Sequence, residues 1–449
     1  MDEFNFTYAG IIALIIVLLT AIRYKLNIYR LITDPLVIIC CVFYNFFGSY
    51  RTVDFSLTNN ILLLTSFIIF LGAFHICRKA RLSRLDRKLL RFPNRKHSSG
   101  ETLTHPAALW IFFLLCLTYC VIDLWVNSLI YGSLERALLR FYRIKAENIS
   151  YVTFSNYLSI YFKGMLAFVF VFRYFLDLQK RSSILFITGV ILLVIIAIPR
   201  GARGAVVSPI VMLVLADIFA KRYHNIKIGR HLVQYICFGV LGGMLFLLLT
   251  AIRSLKFESF DDLMSVVNMS SVDEGNERFS KLESDLMISD TKLCFDRFGS
   301  DVDFLPVGYT ATSIMVSSVP RSLWTTKPVS FGLAINAVKT GRAYKLRQPH
   351  TLFYLGATDY AAGVAGEGWA NGGFAGLLLY SLIFGGISGK CARLSGILLN
   401  SKNYISITIG LCLFQMTFCF LRGGLQSTFT PALYAFLMLL VIITVIYRK

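Results

Sequence analysis

The sequence Pro-Arg-Gly-Ala-Arg-Gly at residues 199–204 lies between two long apolar stretches, Ile184–Ile198 and Ala205–Ala220. The first stretch carries no charge and the second a single acid, so Arg200 and Arg203 occupy a short glycine-rich hairpin at a membrane boundary. An ionisable group this close to hydrocarbon usually pairs with another charge, faces a water-filled cavity or belongs to a site. A snorkelling anchor at the membrane interface is the alternative interpretation.

The composition indicates a membrane protein. Of the 449 residues, 56% are hydrophobic and 16% are charged, and the mean hydropathy is +0.65. A soluble domain is about a quarter charged, and the apolar runs here are long enough to cross a bilayer as helices. We therefore predict an all-α polytopic membrane protein with about eleven transmembrane helices. They are expected at roughly 7–22, 35–50, 59–77, 106–124, 152–175, 183–199, 205–220, 232–252, 372–389, 404–421 and 430–447.

The basic residues set the orientation of these helices. Lysine and arginine follow the first, third, fifth, seventh and ninth predicted helices, with the densest run at 78–96. Cytoplasmic loops hold this excess, so the N-terminus is expected outside. Three segments result: residues 1–252 with helices one to eight, a long external loop at 253–371, and residues 372–449 with the last three helices. The net charge of +20 is thus attributed to topology and lipid contact rather than to nucleic-acid binding.

With this orientation the 199–204 hairpin faces outward, and so does the connection after the fourth helix. There Ser133 can cap a short helix that carries Arg136, Arg140 and Arg143 at positions i, i+4 and i+7. This basic stripe opposite an apolar face is suited to the outer interface of the bilayer. Binding of an anionic substrate and simple interfacial anchoring both remain open for it.

The external loop at 253–371 changes character along its length. It is acidic and serine-rich up to residue 290, which is typical of a surface flap, and then becomes apolar and aromatic. The second part contains Arg321, Trp324, Lys327 and His350. Aromatic rings stack on sugars and cations bind phosphates, and loops of this length in compact proteins are usually functional.

Two glycine-flanked motifs complete the outer face. Gly366-Glu367-Gly368, with Asn371 downstream, opens the ninth helix, and Arg422 closes the tenth. A carboxylate at a helix N-terminus is stabilised by the helix dipole, although Glu367 could equally be an ordinary N-cap. The outer arginines and this carboxylate together predict an outward-facing, anion-binding cavity with one acid that could act as a base.

With these features the chain resembles the Wzy family of O-antigen (oligosaccharide repeat unit) polymerases. The resemblance covers most of the length and is carried by the helix count, the long external loop, the 199–204 hairpin, the Pro320–Pro328 segment and Gly366–Gly373. It implies a GT-C-like glycosyltransferase of the bacterial inner membrane that works on the periplasmic face without a metal or other cofactor. It also implies undecaprenyl-pyrophosphate-linked oligosaccharides as substrates and a Wzz-type chain-length co-polymerase as partner.

The residues also fit this chemistry on their own terms. Breaking an anomeric C–O bond to pyrophosphate places negative charge on the leaving group, which fixed guanidinium groups stabilise. We assign catalysis to Glu367, as general base for the acceptor hydroxyl, and to Arg203 and Arg422 at the pyrophosphate. Substrate binding is assigned to Arg200, Arg321, Trp324, Lys327, His350, Asn371, Arg140 and Arg143.

Three assignments stay open. Trp324 and Trp369 fit either sugar platforms or an interfacial tryptophan belt, and His350 is a second candidate base. Asp301-Val302-Asp303 looks like the metal-binding triplet of nucleotide-sugar transferases, but such triplets occur by chance and nucleotide sugars are cytoplasmic. The ten cysteines show neither a disulfide framework nor zinc-site spacing, so no metal is expected.

Other functions remain as alternatives. An O-antigen ligase shares the chemistry and the membrane face but transfers the glycan to lipid A-core. A lipid-linked oligosaccharide flippase or another transporter predicts charged groups at mid-membrane and internal repeats, whereas most of the arginines here lie at helix ends. A structural or signalling membrane protein is the third alternative.

Overall fold

The computed structural model is mostly helical. It describes residues 5–50, 53–91, 106–138, 183–197, 283–316, 327–343, 360–400 and 404–422, together with single residues at 158, 214, 319, 324, 346 and 437. The helices are α1 (Tyr8–Arg23), α2 (Ile28–Thr33), α3 (Pro35–Phe47), α4 (Leu57–Lys79), α5 (Arg84–Arg91), α6 (Pro106–Tyr131), α7 (Leu134–Leu138), α8 (Ser183–Ala197), α9 (Glu283–Arg297), α10 (Tyr309–Met315), α11 (Phe331–Lys339), α12 (Gly363–Ala370), α13 (Gly373–Leu399) and α14 (Tyr404–Cys419), which continues into a 3₁₀ turn (Phe420–Arg422).

Two compact units divide the chain. The first consists of Met1–Leu90, Lys281–Leu398 and Cys412–Leu433, and the second consists of Arg91–Ser280, Leu399–Leu411 and Tyr434–Lys449. Helices α4 and α13 thus belong to the first unit, and α6 and α8 belong to the second.

The described helices match the apolar pattern of the sequence. Helices are present at the predicted positions 7–22, 35–50, 59–77, 106–124, 183–199, 372–389 and 404–421. Apart from the single residues 158, 214 and 437, the predicted helices at 152–175, 205–220, 232–252 and 430–447 lie outside the described residues, so the count of eleven stays a prediction. Within the described part of the chain, three helices are long and apolar enough to cross a membrane: α4, the Phe112–Tyr131 part of α6, and α13. These spans define a helical membrane protein.

Two helix boundaries differ from the predicted ones. Helix α3 stops at Phe47, because Ser49 and Tyr50 pair as a short antiparallel strand with Asn5 and Phe6. Helix α13 continues ten residues beyond its predicted end at 389, as far as Leu399. The extra turns carry small and basic residues, which lowered the apolar signal in the sequence.

Small side chains bring α4 and α13 into close contact. The contacts pair Ser66 with Ser381, Phe70 with Gly385, and Phe74 with Gly389. The two serine hydroxyls are 2.7 Å apart, and a Cβ added at Gly385 or Gly389 would overlap a backbone carbonyl oxygen of α4. Small residues spaced by four let membrane helices approach to backbone distance.

The order of these contacts shows that α4 and α13 run in the same direction. Partner positions advance together along both helices, from 66 and 381 to 74 and 389. Two parallel spans must have an odd number of crossings between them. The predicted order, with α4 as the third span and α13 as the ninth, meets this condition.

The second unit contains a similar parallel pair. In it, the rings of Phe112 and Phe186 stack with centroids 5.7 Å apart, and the thiol of Cys120 donates to the carbonyl of Leu192 at 3.6 Å. These contacts advance together along α6 and α8, so a crossing is required between the two helices. The helix predicted at 152–175, outside the described residues, would supply it.

Polar contacts join several helices at one end of the first unit. Arg78 at the end of α4 donates to Asp34 at 3.2 Å, and the hydroxyl of Tyr24 donates to the same carboxylate at 2.5 Å. Asp86 of α5 accepts a hydrogen bond of 2.5 Å from Lys390 of α13. The same end of the unit therefore gathers α1, α3, α4, α5 and α13.

A helical layer covers the opposite ends of α4 and α13. Helices α9 to α12, from the segment predicted as a long loop at 253–371, enclose a hydrophobic core of their own, which includes Cys294, Phe298, Leu305, Phe331, Ala334, Ile335 and Ala370. Asn59 in the first turn of α4 donates to Asp296 of α9 at 3.2 Å. The described parts of this segment from residue 283 onward thus form a packed helical layer.

Replacing Gly385 by alanine should weaken the first unit. The new methyl group overlaps the α4 backbone, and overpacking of this kind costs about 1–3 kcal/mol. Gly396→Ala on the same helix is the matched control, because a Cβ there meets no atom within 4 Å. Thermal unfolding of both variants in detergent measures the difference. Equal melting temperatures would contradict the described packing of α4 on α13.

The parallel arrangement also predicts the sidedness of two surface positions. Ser300 follows α9 and Arg84 begins α5, and both are exposed at opposite ends of the first unit. In a background without other accessible cysteines, a membrane-impermeant thiol reagent should label Ser300→Cys and Arg84→Cys from opposite sides of the membrane. Labelling of both from one side would rule the arrangement out.

Candidate active site

The glycines beside Glu367 allow its helix to fit between two others. A Cβ added at Gly366 would lie 3.5 Å from the sulfur of Cys294 in α9. A Cβ added at Gly368 would lie 2.9 Å from the Cα of Leu377 in α13. Gly368 therefore lets α12 pack closely against α13, whereas a Cβ at Gly366 would be crowded by Ala362 at 2.7 Å and would meet α9 only at ordinary contact distance.

The structure corrects the predicted setting of Glu367. This residue lies in the middle of α12, a separate short helix whose N-cap position is Ala362, so the alternative of an ordinary N-cap is wrong. A turn through Gly372 and Gly373, with φ of 128° and 61°, then leads into α13. Glu367 has 0% exposed surface, so it lies inside the protein rather than on an open cavity wall.

Asn371 ties the end of α12 to the neighbouring helices. Its side-chain NH₂ donates to the carbonyl of Glu367 at 2.8 Å and to the hydroxyl of Thr310 at 2.9 Å. Its side-chain oxygen accepts from the backbone N–H of Thr310 at 3.1 Å, and that threonine's hydroxyl lies 3.0 Å from the hydroxyl of Tyr380. All of these polar groups are buried, and their mutual hydrogen bonds fix α12 relative to α10 and α13.

A buried ion pair lies near Glu367. Asp290 of α9 pairs with the amino group of Lys339 of α11, which also sits 4.0 Å from the ring centre of Tyr360. Burial, followed by the negative charges of Asp290 and Glu367, raises the pKa of the Cys294 thiol well above 9.0, while Lys339 opposes this. Asp290, Glu367 and Lys339 therefore all lie close enough to shift the pKa of this thiol, and the thiol stays protonated and unreactive.

The 3₁₀ turn that ends in Arg422 contacts the helix that carries Glu367. The 3₁₀ turn at the end of α14 packs against both α12 and α3. Within the turn, the ring of Phe420 stacks on Phe384 of α13 with centroids 5.0 Å apart. Two predicted catalytic residues, Glu367 and Arg422, are thus brought into one region, although the side chain of the arginine lies outside the described part.

Lys327 and Trp324 lie in one turn beyond α10. Lys327 is 8% exposed, and its amino group donates to the carbonyls of Val316 at 3.3 Å and Val319 at 2.5 Å. This lysine therefore closes the C-terminal end of α10, whose first turn holds Thr310. Trp324 is 42% exposed, so its ring is accessible to a ligand. Helix α10, which separates Thr310 at its start from Lys327 at its end, is roughly 10 Å long.

The Trp369 ring packs against other side chains and does not present an open face to a ligand. Its indole N–H donates to the carbonyl of Phe298 at 3.3 Å. Its ring meets Phe295 and Phe304 edge to face, with centroids 5.7 and 6.1 Å apart. These contacts hold α12 against α9 and the residues that follow α9.

The structure does not place most of the remaining predicted site residues. The following lie outside the described residues: Arg140, Arg143, Arg200, Arg203, Arg321 and His350. The predicted cap of α7 is present, since the Ser133 hydroxyl accepts from the N–H of Arg136 at 3.1 Å. Asp301 is exposed and pairs with Arg297, and the described residues contain no group of three or more metal-binding side chains.

Several residues of this region were missed in the sequence. The Asp290–Lys339 pair and Thr310 lie in the segment predicted as flap and loop. The spacing of Met287, Thr291 and Cys294 by four and three residues is typical of a helix face, and it could have identified α9. No comparable signal marks the ion pair, because its two residues come from different helices.

Comparison with known proteins gives no match among protein-family models, curated proteins or solved structures. A functional conclusion must therefore come from the residues and their arrangement.

Lys339→Met should destabilise the helical layer above α12. Removing one partner leaves the buried Asp290 carboxylate uncompensated, which costs about 3 kcal/mol, the low end for buried pairs because the lysine keeps some exposure. Burial raises the pKa of Asp290 above its ordinary 3.8, and the hydrogen bond and charge of Lys339 hold that rise down. Removal of the lysine should therefore raise the pKa of Asp290 further. As the pH falls toward 3.8, the buried carboxyl of the variant becomes protonated and uncharged, so the destabilisation relative to the wild type should shrink.

The matched control for this pair is Lys292→Met. The ion pair between Lys292 and Asp296 also involves α9, but its carboxylate is exposed where that of Asp290 is buried, so its loss should cost less than about 1 kcal/mol. Unfolding of both variants across pH provides the measurement. A loss equal to that of the control, or one independent of pH, would contradict an uncompensated buried charge.

Proposed function

We propose that this protein is an O-antigen polymerase, a metal-independent glycosyltransferase of the bacterial inner membrane with its active site on the periplasmic side. The observation that carries the proposal is the contact of the 3₁₀ turn Phe420–Arg422 with α12, the helix in which Glu367 is buried. Glu367 and Arg422 come from two separate motifs that were assigned to catalysis from the sequence. The parallel helix pairs support it further, because they agree with the predicted order of spans.

In the proposed reaction the acceptor is the non-reducing end of a new lipid-linked repeat unit. Its hydroxyl oxygen attacks the anomeric carbon of the growing glycan, and the bond from that carbon to the pyrophosphate of undecaprenyl pyrophosphate breaks. Glu367 takes the hydroxyl proton, and the lipid pyrophosphate leaves with the bonding electron pair. Arg203 and Arg422 stabilise its charge, assisted by Arg200 and Arg321.

The burial of Glu367 has a chemical role in this proposal. Because the carboxylate has no exposed surface, bulk water does not compete with the acceptor hydroxyl for the glycan. The acceptor can reach the carboxylate only if the layer of α9 to α11 shifts relative to α12. Exposed Trp324 is the accessible aromatic surface of that layer for a sugar ring. A Wzz-type co-polymerase would set the number of cycles.

Gene deletion with complementation tests the proposal. Lipopolysaccharide from the deletion strain should show core that carries a single repeat unit, and the wild-type gene should restore long chains. Glu367→Gln and Arg422→Ala should each copy the deletion at normal protein levels, with chain extension lowered by at least about a hundredfold. For Glu367 this is the effect of losing a general base, and for Arg422 the effect of losing a cation that stabilises the leaving group.

Asp301→Asn is the matched control, because it removes an exposed carboxylate of the same segment that the proposed chemistry leaves unused. It should support normal chain lengths. Bare core with long polymer still on its lipid carrier would instead indicate a ligase. Bare core without polymer or periplasmic intermediates would indicate an earlier step such as flipping, and either result would overturn the polymerase proposal.

A further inference from the structure

The helix α5 has an unusually clean separation of charge. Its basic residues Arg84, Arg87, Lys88 and Arg91 fall within one arc of about 100° when the sequence is placed on a helix of 3.6 residues per turn. Three leucines and the single acid, Asp86, occupy the other side. This is the pattern of a helix that lies in a membrane interface.

The single acid of this helix is removed from the surface. Asp86 is buried, accepts a 2.5 Å hydrogen bond from Lys390, and forms a capping pair with Ser83, whose N–H donates to it at 2.7 Å. Burial acts to raise the pKa of this carboxyl, but the hydrogen bonds from Lys390 and Ser83 outweigh it and hold the pKa below 3.8. The acid is therefore ionised and paired inward, and it does not offset the outward-facing cations.

Four cations remain exposed within nine residues: Lys79, Arg81, Arg84 and Arg87. No other acid lies between residues 78 and 91. The surface that these four residues form, here called the basic collar, therefore carries charge of one sign only.

The depth of the basic collar follows from the helix pair below it. Helix α4 has 23 residues and is thus roughly 34 Å long, slightly more than the hydrocarbon core of a bilayer. Lys79 ends this span, and Lys390 lies one residue beyond the Gly389 contact with Phe74. The ion pair to Asp86 therefore holds α5 at the level where the span leaves the hydrocarbon, which is the level of the lipid headgroups.

We propose that the basic collar binds the headgroups of anionic phospholipids on the membrane face opposite the candidate active site. Charge complementarity favours this occupant, because anionic headgroups are the negative groups present at that depth, and each basic side chain near such a surface strengthens binding by about fivefold. The Asp86–Lys390 pair acts as the tether that keeps the helix in the headgroup layer. This surface is separate from the proposed polymerase chemistry.

The test uses the full-length protein in mixed micelles with equal amounts of phosphatidylglycerol and phosphatidylcholine. Native mass spectrometry then counts the lipids of each kind that stay bound. The wild type should retain phosphatidylglycerol preferentially. The triple variant Arg81→Gln, Arg84→Gln, Arg87→Gln should lower that preference by about a hundredfold, the product of three fivefold factors. Salt at about 0.5 M, where the Debye length is roughly 4 Å, should lower it for the wild type as well.

The matched control removes three cations from the helical layer at the opposite end of the unit: Lys292→Gln, Arg297→Gln and Arg342→Gln. The charges of Lys292 and Arg297 are already offset by Asp296 and Asp301. The control should change the preference by no more than a few-fold, and both variants should melt like the wild type in phosphatidylcholine alone. An equal loss in both triple variants, an unchanged preference in the collar variant, or no preference in the wild type would each overturn the proposal. Binding of RNA or of a soluble protein to the collar in place of phosphatidylglycerol would do the same.

Discussion

The close contact of α4 with α13 is the constraint on which the first unit depends. Without a hydrophobic driving force between helices in lipid, this contact rests on small residues and on the hydrogen bond between Ser66 and Ser381. It joins two parts of the sequence that are more than three hundred residues apart. The contact also positions both ends of the unit, because the helical layer lies at one end of the α4–α13 pair and the basic collar lies at the other.

The same device recurs around Glu367. Gly368 lets α12 approach α13, much as Gly385 and Gly389 let α13 approach α4. Packing against α9 and α13 leaves Glu367 no path to solvent, and the hydrogen bonds of Asn371 hold the following turn in place. A carboxylate in such a setting has a fixed position and few competing partners in water, which are properties that a general base requires.

The sequence predicted the positions of the apolar helices well, because a long run of apolar residues is a direct consequence of a lipid environment. It predicted the segment after residue 283 poorly, since that segment is held by contacts between distant residues, such as Asn59 with Asp296. The sequence singled out Glu367 from its glycine-flanked motif, but the burial of this residue depends on α9 and α13, which a local motif does not reveal. The arginines of the 199–204 hairpin stay a prediction.

The pairing of α4 with α13 also has a consequence for biosynthesis. Ser66 meets its partner only after 315 further residues have been made. At about 5–20 residues per second, α4 spends roughly 15–60 s in the bilayer with the hydroxyl face of Ser66 turned toward lipid or a temporary partner. A chain that is truncated before α13 never covers this face. The Ser66 hydroxyl is thus a polar group within the span that only the finished chain covers.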